Sequence, residues 1–159
     1  MGSFSAPLQP VFVGTGQVFL RGDSAGRIYP QWFGAVSDGT ADADAAIQQA
    51  IDSRLPLLND GHTGVSTVFL PPGIYSVGKP IELPSYVHLE GASPVSTRLI
   101  ANSTSRPRAL LAPPNRGLNR TDGWRLGRFA LTGVGSDVGL LFAQTSSAIV
   151  NDVVRTHPC

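Results

Sequence analysis

The sequence predicts an all-β fold of many short strands, with a single short helix near its start. Three observations carry that expectation. Gly (18) and Pro (13) are abundant among the 159 residues, so the chain turns often, which favours short strands over long helices. Helical periodicity occurs once, at about residues 43–53, and nowhere after residue 55. Far down the chain, Leu126–Leu131 and Val150–Arg155 superpose with an offset of 24 residues, within the roughly 20–45 residues of a stacked repeat. Strands without crossover helices fit a sandwich or a solenoid, and the offset favours the solenoid.

The N-terminal stretch, residues 1–30, reads as an extended arm. Val11-Phe12-Val13 and Gln17-Val18-Phe19-Leu20 are short β-prone runs separated by Gly14-Thr15-Gly16. Next comes the helix, with Asp42 as expected N-cap and Asp44 in the first turn, where the helix dipole favours negative charge. Ala43, Ala46, Ile47, Ala50 and Ile51 fall at i, i+3, i+4, i+7 and i+8, on one face. Pro56 stops the helix. Strand signals begin at about residue 67. Thr67–Leu70 ends at Pro71-Pro72-Gly73, and Ile74–Val77 follows. Tyr86–Gly91 alternates, with Val87 and Leu89 on one side and Tyr86, His88 and Glu90 on the other. Thr97–Ala101, Ala109–Ala112 and Gly139–Phe142 continue the pattern.

Several of these segments resemble a known family. Tyr29-Pro30-x-Trp32-Phe33-Gly34-Ala35, then Asp38-Gly39-x-x-Asp42 and Ala46-Ile47-Gln48-x-Ala50-Ile51, resemble the opening of pectate-lyase-like β-helix proteins, found in bacteriophage tailspikes and polysaccharide depolymerases. Val68–Tyr75, Leu83–Gly91 and Ser96–Leu99 resemble its first rungs. The likeness is specific from Tyr29 to Ile100 and loose beyond; Ala41 and Ala43-Asp44 depart from the pattern. The resemblance implies a right-handed parallel β-helix, a single-stranded solenoid, with the helix capping its N-terminal end. The expected organisation is an arm at 1–30 and a truncated β-helix domain at 31–159, with rungs over about 67–159. A cap has a physical purpose, because a bare first rung exposes unpaired backbone groups and an apolar end. Asp38, Gly39 and Asp42 accordingly read as turn and cap chemistry.

Composition narrows function. Charged residues make up only 14%, against about 25% in typical soluble domains, so part of the surface is expected to be covered, by sister subunits. No apolar run approaches the roughly 18 residues of a membrane span. Met1-Gly2-Ser3-Phe4-Ser5 lacks the start of a signal peptide. The missing signal does not exclude an extracellular destination, because virion parts leave the cell by lysis, and the resemblance implies a virion or extracellular location without membrane insertion. Cys159 is the single cysteine and cannot form an internal disulfide. His62, His88 and His157 have no metal-ligand spacing, and no cofactor or metal is expected.

The charge is +1 overall but uneven. Residues 1–97 carry four basic and eight acidic side chains, whereas 98–128 carry seven Arg against Asp122. Arg98, Trp124, Arg125 and Arg128 are the candidate glycan-binding residues, the arginines for acidic groups and the indole for stacking. Tyr75 and Tyr86 are further aromatics able to stack on sugars, as is Trp32, which reads rather as packed against the cap. Hydrolase chemistry needs two carboxylates about 5–9.5 Å apart, and only Glu90, Asp122, Asp137 and Asp152 follow Glu82. No catalytic residue is assigned. The resemblance implies a structural or receptor-facing component of a phage tail, a homotrimer meeting other virion tail proteins and a host surface polysaccharide, with no nucleic-acid partner. Alternatives are a fragment of a polysaccharide depolymerase, lyase or glycoside hydrolase, acting on an acidic glycan, or a non-catalytic glycan-binding module.

Overall fold

Alternation of apolar and polar side chains produces short strands, and among the described residues every pairing between them is parallel. The computed structural model describes residues 5–20, 26–54, 67–114, 123–133, 138–140 and 148–156. In chain order the elements are β1 (Arg27–Ile28), a 3-10 turn (Pro30–Phe33), β2 (Asp38–Asp42), α1 (Asp44–Asp52), β3 (Thr67–Leu70), β4 (Gly73–Val77), β5 (Ile81–Glu82), β6 (His88–Gly91), β7 (Thr97–Ala101), β8 (Ala109–Ala112), β9 (Trp124–Thr132), β10 (Val138–Leu140) and β11 (Ala148–Thr156).

These strands stand in three columns. The first runs β1, β3, β6 and then the opening half of β9, with Val68, Leu89 and Leu126 in register. The second runs β2, β4, β7 and the closing half of β9, with Tyr75, Leu99 and Leu131 in register. The third is β5, β8 and β10, with Ile81, Leu111 and Leu140 in register. β11 lies along the whole of β9, pairing Val150 with Leu126 and Arg155 with Leu131. That pairing realises the 24-residue offset. The first two columns form one curled sheet, because β9 serves both. The result is a mostly-β arrangement of parallel strands with one α-helix among the described residues, consistent with a β-helix. No described helix is long and apolar enough to cross a membrane.

The core is the space the columns enclose. Val68, Leu70, Tyr75, Leu89, Leu99, Leu111 and Phe129 are buried there, each contributing roughly 1.5–3 kcal/mol of hydrophobic stabilisation. β9 keeps its inward side chains in place by changing phase. Trp124 and Leu126 point inward, then Phe129 and Leu131 do, so the alternation skips one residue between them. Arg128 sits in that gap with φ 63, and Asp152, opposite it on β11, has φ 52. Left-handed backbone is costly for residues with a Cβ, and here it bends the strand from the first column into the second.

The helix lies beneath the third column, where a further strand would otherwise sit. Ala46, Ile47, Ala50 and Ile51 are buried, as their spacing predicts. Gln48 closes the backbone edge. Its Nε2 donates to the Glu82 carbonyl (3.2 Å), and its Oε1 accepts from the Glu82 amide (2.8 Å). One side-chain amide thus pairs with β5 as a neighbouring peptide group would. Trp32 seals the same end, its indole donating to the Pro7 and Ala6 carbonyls at 3.1 and 3.3 Å.

Three sequence expectations change. Asp38–Asp42 forms strand β2, irregularly registered against β4; the Asp38 carboxylate still accepts from the Thr40 amide and hydroxyl around Gly39 (φ 78), as turn chemistry would. The residue preceding α1 as its cap is Ala43, without a side-chain hydrogen bond. Asp42 instead accepts from Ser76 Oγ (2.7 Å) and Asn102 Nδ2 (2.8 Å), tying together three successive levels of the second column. The runs Val11–Val13 and Gln17–Leu20 form no strand. The Val11 and Phe12 amides both donate to the Trp32 carbonyl, and the Leu20 amide to that of Ser53, so this segment is spent on the capped end. Of the expected run Gly139–Phe142, Gly139 and Leu140 lie in β10, while Leu141 and Phe142 fall outside the described residues.

Two measurements check this account. Gln48→Ala removes both bonds to Glu82 and is expected to lower unfolding stability by about 1–2 kcal/mol, read from the urea midpoint; an unchanged midpoint would show that the edge needs no such partner. The two donors hold the Asp42 carboxyl below its ordinary value of 3.8, the Asn102 bond more than the Ser76 bond. A depressed folded pKa contributes stability above the unfolded value that disappears as pH falls through the folded value. Asn102→Ala is therefore expected to cost stability at pH 6 and progressively less below pH 3.8, in paired thermal melts.

Candidate functional site

An outward ladder runs across the first column. Thr67, His88 and Arg125 occupy successive levels of it, with Arg27 at one end and Ile149 at the other. The next outward positions are Phe69, Glu90, Gly127 and Asn151. Arg27 lies over the Phe69 ring at 4.3 Å.

Of the four residues expected to bind glycan, the structure brings two together here. Arg125 is exposed beside His88. Arg128 is exposed at the bend and pairs with Glu90 at 3.3 Å. Arg98 is exposed on the second column instead, level with Ile74 and Ala130. Trp124 is withdrawn from the surface altogether. It is 0% exposed and its indole donates to the Pro84 carbonyl at 3.1 Å. The reason is parity: Trp124 shares its side of the strand with Leu126, so burying one buries the other. Trp32 and Tyr75 are also core residues. Burial raises the Tyr75 hydroxyl to about 12, and that hydroxyl donates to Pro71 while accepting from Gln31.

Of the four aromatics able to stack on sugars, Tyr86 is the one left at the surface, 52% exposed and with φ 59. Its ring lies on Gly123, where an added Cβ would come within 2.5 Å of Cδ1. Under it, the buried Arg54 donates from Nη2 to the Tyr86 carbonyl at 2.8 Å, and its Nε has no partner. Desolvation lowers Arg54 to about 10, far above neutrality, so the guanidinium stays charged. Burial, then Arg125, then Arg54 depress His88 to about 4. Sequence reasoning missed Arg54 and His88 as site residues. Tyr86, His88 and Glu90 were legible as one outward set by alternation, but nothing in the spacing brings Arg54 to them.

Among the described residues, no two carboxylates pair on this face. Glu90 is engaged by Arg128, and Asp152 stands at the bend of β11, opposite Arg128. Asp122 and Asp137 lie outside the described residues. A separate open groove runs between the arm and the outer side of α1. Asp42, Asp44, Asp52 and Glu82 line it with Lys79, which gives it the wrong sign for an acidic glycan.

The buried position of Trp124 is checked by substitution. Trp124→Ala is expected to cost about 3–5 kcal/mol of stability, whereas Arg98→Ala stays within about 0.5 kcal/mol, both from denaturant unfolding.

Comparison with known proteins fits this architecture. Residues 31–125 match the model of the family described as Rhamnogalacturonase A/epimerase, pectate lyase-like. No curated protein is significantly similar in sequence. ORF18 of Geobacillus virus E2 is similar in structure, with a TM-score of 0.67 and 22% identity over 80% of this chain and 25% of that one. The A-module of mannuronan C-5 epimerase AlgE6 from Azotobacter vinelandii is similar with a TM-score of 0.51 and 21% identity, over 82% of this chain and 41% of that one. The chain thus spans a quarter of the viral protein and about two fifths of the epimerase module. The family match takes in the 3-10 turn, α1 and strands β2 to β8, reaching Arg125 in β9, and on that match the chain belongs to the rhamnogalacturonase A/epimerase, pectate-lyase-like family.

Proposed function

We propose that this chain is a structural or receptor-facing part of a bacteriophage tail, non-catalytic in itself. In this reading its columns are the first turns of a right-handed, single-stranded β-helix of the tailspike kind, working as a homotrimer in the virion. The observation that carries it is the fold shared with a viral protein over 80% of the chain. Exposed apolar side chains support subunit and tail-protein contacts: Leu8, Val13 and Phe19 on the arm, and Ile149 and Val154 on β11. The exposed Arg98, Arg125 and Arg128 would face a host surface polysaccharide, with Trp124 holding their strand from the inside.

A second reading takes the family description at its word, as a fragment of a polysaccharide-modifying enzyme. On this chain it rests on the family alone, since Glu90 is occupied by Arg128.

Sedimentation of the purified chain and immunogold labelling of virions decide the first reading. Trimers and gold on the tail are expected; a heat-stable monomer, or virions without label, would end it. Incubation with pectic and alginate polysaccharides tests the second. Unsaturated products or new reducing ends would establish it, and the expected result is none.

A further inference from the structure

We infer that Tyr86, His88 and Arg125, backed by Arg54, form a subsite for one carboxylate-bearing sugar, and that it binds more tightly as pH falls. This rests on the reading that the chain meets a host glycan, and it names the place and the control.

Tyr86 supplies the platform. Gly123 supports one side of its ring, the side chain is half exposed, and Arg54 holds its carbonyl from below. A fixed ring with an open side offers apolar area to the C–H face of a pyranose at little entropic cost. Arg125 supplies the charge. It is exposed, and its own amide donates to the Val87 carbonyl between Tyr86 and His88 (2.8 Å). In register with His88, its planar guanidinium suits a sugar carboxylate, which it can engage through two N–H groups.

The local charge is unbalanced. Among the described residues, no carboxylate pairs with Arg54 or Arg125, and the nearest outward acid on the same strand, Glu90, is held by Arg128. Arg54 is only 6% exposed and keeps an unpartnered Nε. A bound anion would relieve this excess.

His88 makes the relief depend on pH. It faces Thr67 on β3 and Arg125 on β9, with Arg54 behind and Glu90 beyond it on β6. Burial and the two arginines keep it neutral above about pH 4. A carboxylate placed beside it opposes the two arginines and raises its pKa. Binding then takes up a proton, so affinity rises as pH falls through the bound-state pKa towards 4. A sugar carboxylate, with a pKa of about 3.5, stays ionised across that window.

Titration calorimetry of the whole chain with trigalacturonate and with neutral cellotriose tests this, alongside NMR of the histidine ring protons. Trigalacturonate is expected to bind severalfold tighter at pH 5 than at pH 7.5 and to shift the His88 signals, while cellotriose does neither. Arg125→Gln is expected to lose about tenfold in affinity. His88→Gln is expected to bind trigalacturonate equally at pH 5 and pH 7.5, with melting temperature confirming that both variants fold. Equal binding of the two sugars, an equal loss from Arg98→Gln, or a pH gain that survives His88→Gln would overturn the proposal. So would absence of binding at both pH values, and in that case trimer formation and tail labelling would still stand or fall on their own.

Discussion

The stack depends on how its first layer is closed. Parallel strands satisfy one another's backbone groups from level to level, but the lowest strand of each column has no partner below. At the third column that vacancy is filled by a single side chain, Gln48, whose amide gives and takes one hydrogen bond with Glu82. The helix that carries Gln48 also buries Ala46, Ile47, Ala50 and Ile51 against the open end of the core. Backbone satisfaction and hydrophobic closure therefore come from opposite positions of one nine-residue element. Small residues on the buried side matter here, because a bulkier side would lift the amide away from the strand it must reach.

The same economy governs the upper layers. Inward side chains stack on like neighbours, Val68 under Leu89 under Leu126 and Tyr75 under Leu99 under Leu131. Core packing is thus largely an interaction between adjacent turns of the chain, as in repeat proteins generally. Outward positions are released from this constraint and can carry charge. The two basic residues that gather with Tyr86 and His88 do so because register, not sequence proximity, sets their neighbours.

Much of this was legible in the sequence, for identifiable reasons. The buried side of α1 followed from 3.6-residue periodicity, and the β9–β11 pairing from a repeat whose inward positions recur across a two-residue gap, Leu126 to Phe129 and Val150 to Val153. The family was legible in a run of motifs in fixed order. What escaped was decided by partners distant in sequence. Asp42 looked like a helix cap because local spacing allows it, yet Ser76 and Asn102 claim its carboxylate. Arg54 follows the helix with no pattern around it, and only the fold carries it beneath Tyr86. Trp124 was misjudged although its parity with Leu126 foretold burial.

The left-handed residues at the bends have a consequence for how such a surface diversifies. Because Arg128 and Asp152 occupy equivalent bends one layer apart, the layers turn in unison and stay about 4.8 Å apart along the axis. Each outward side chain therefore has a height fixed by the backbone and an identity left to choice. A surface of this kind works as a graduated scale, on which a binding pattern can be rewritten one mark at a time without moving the others.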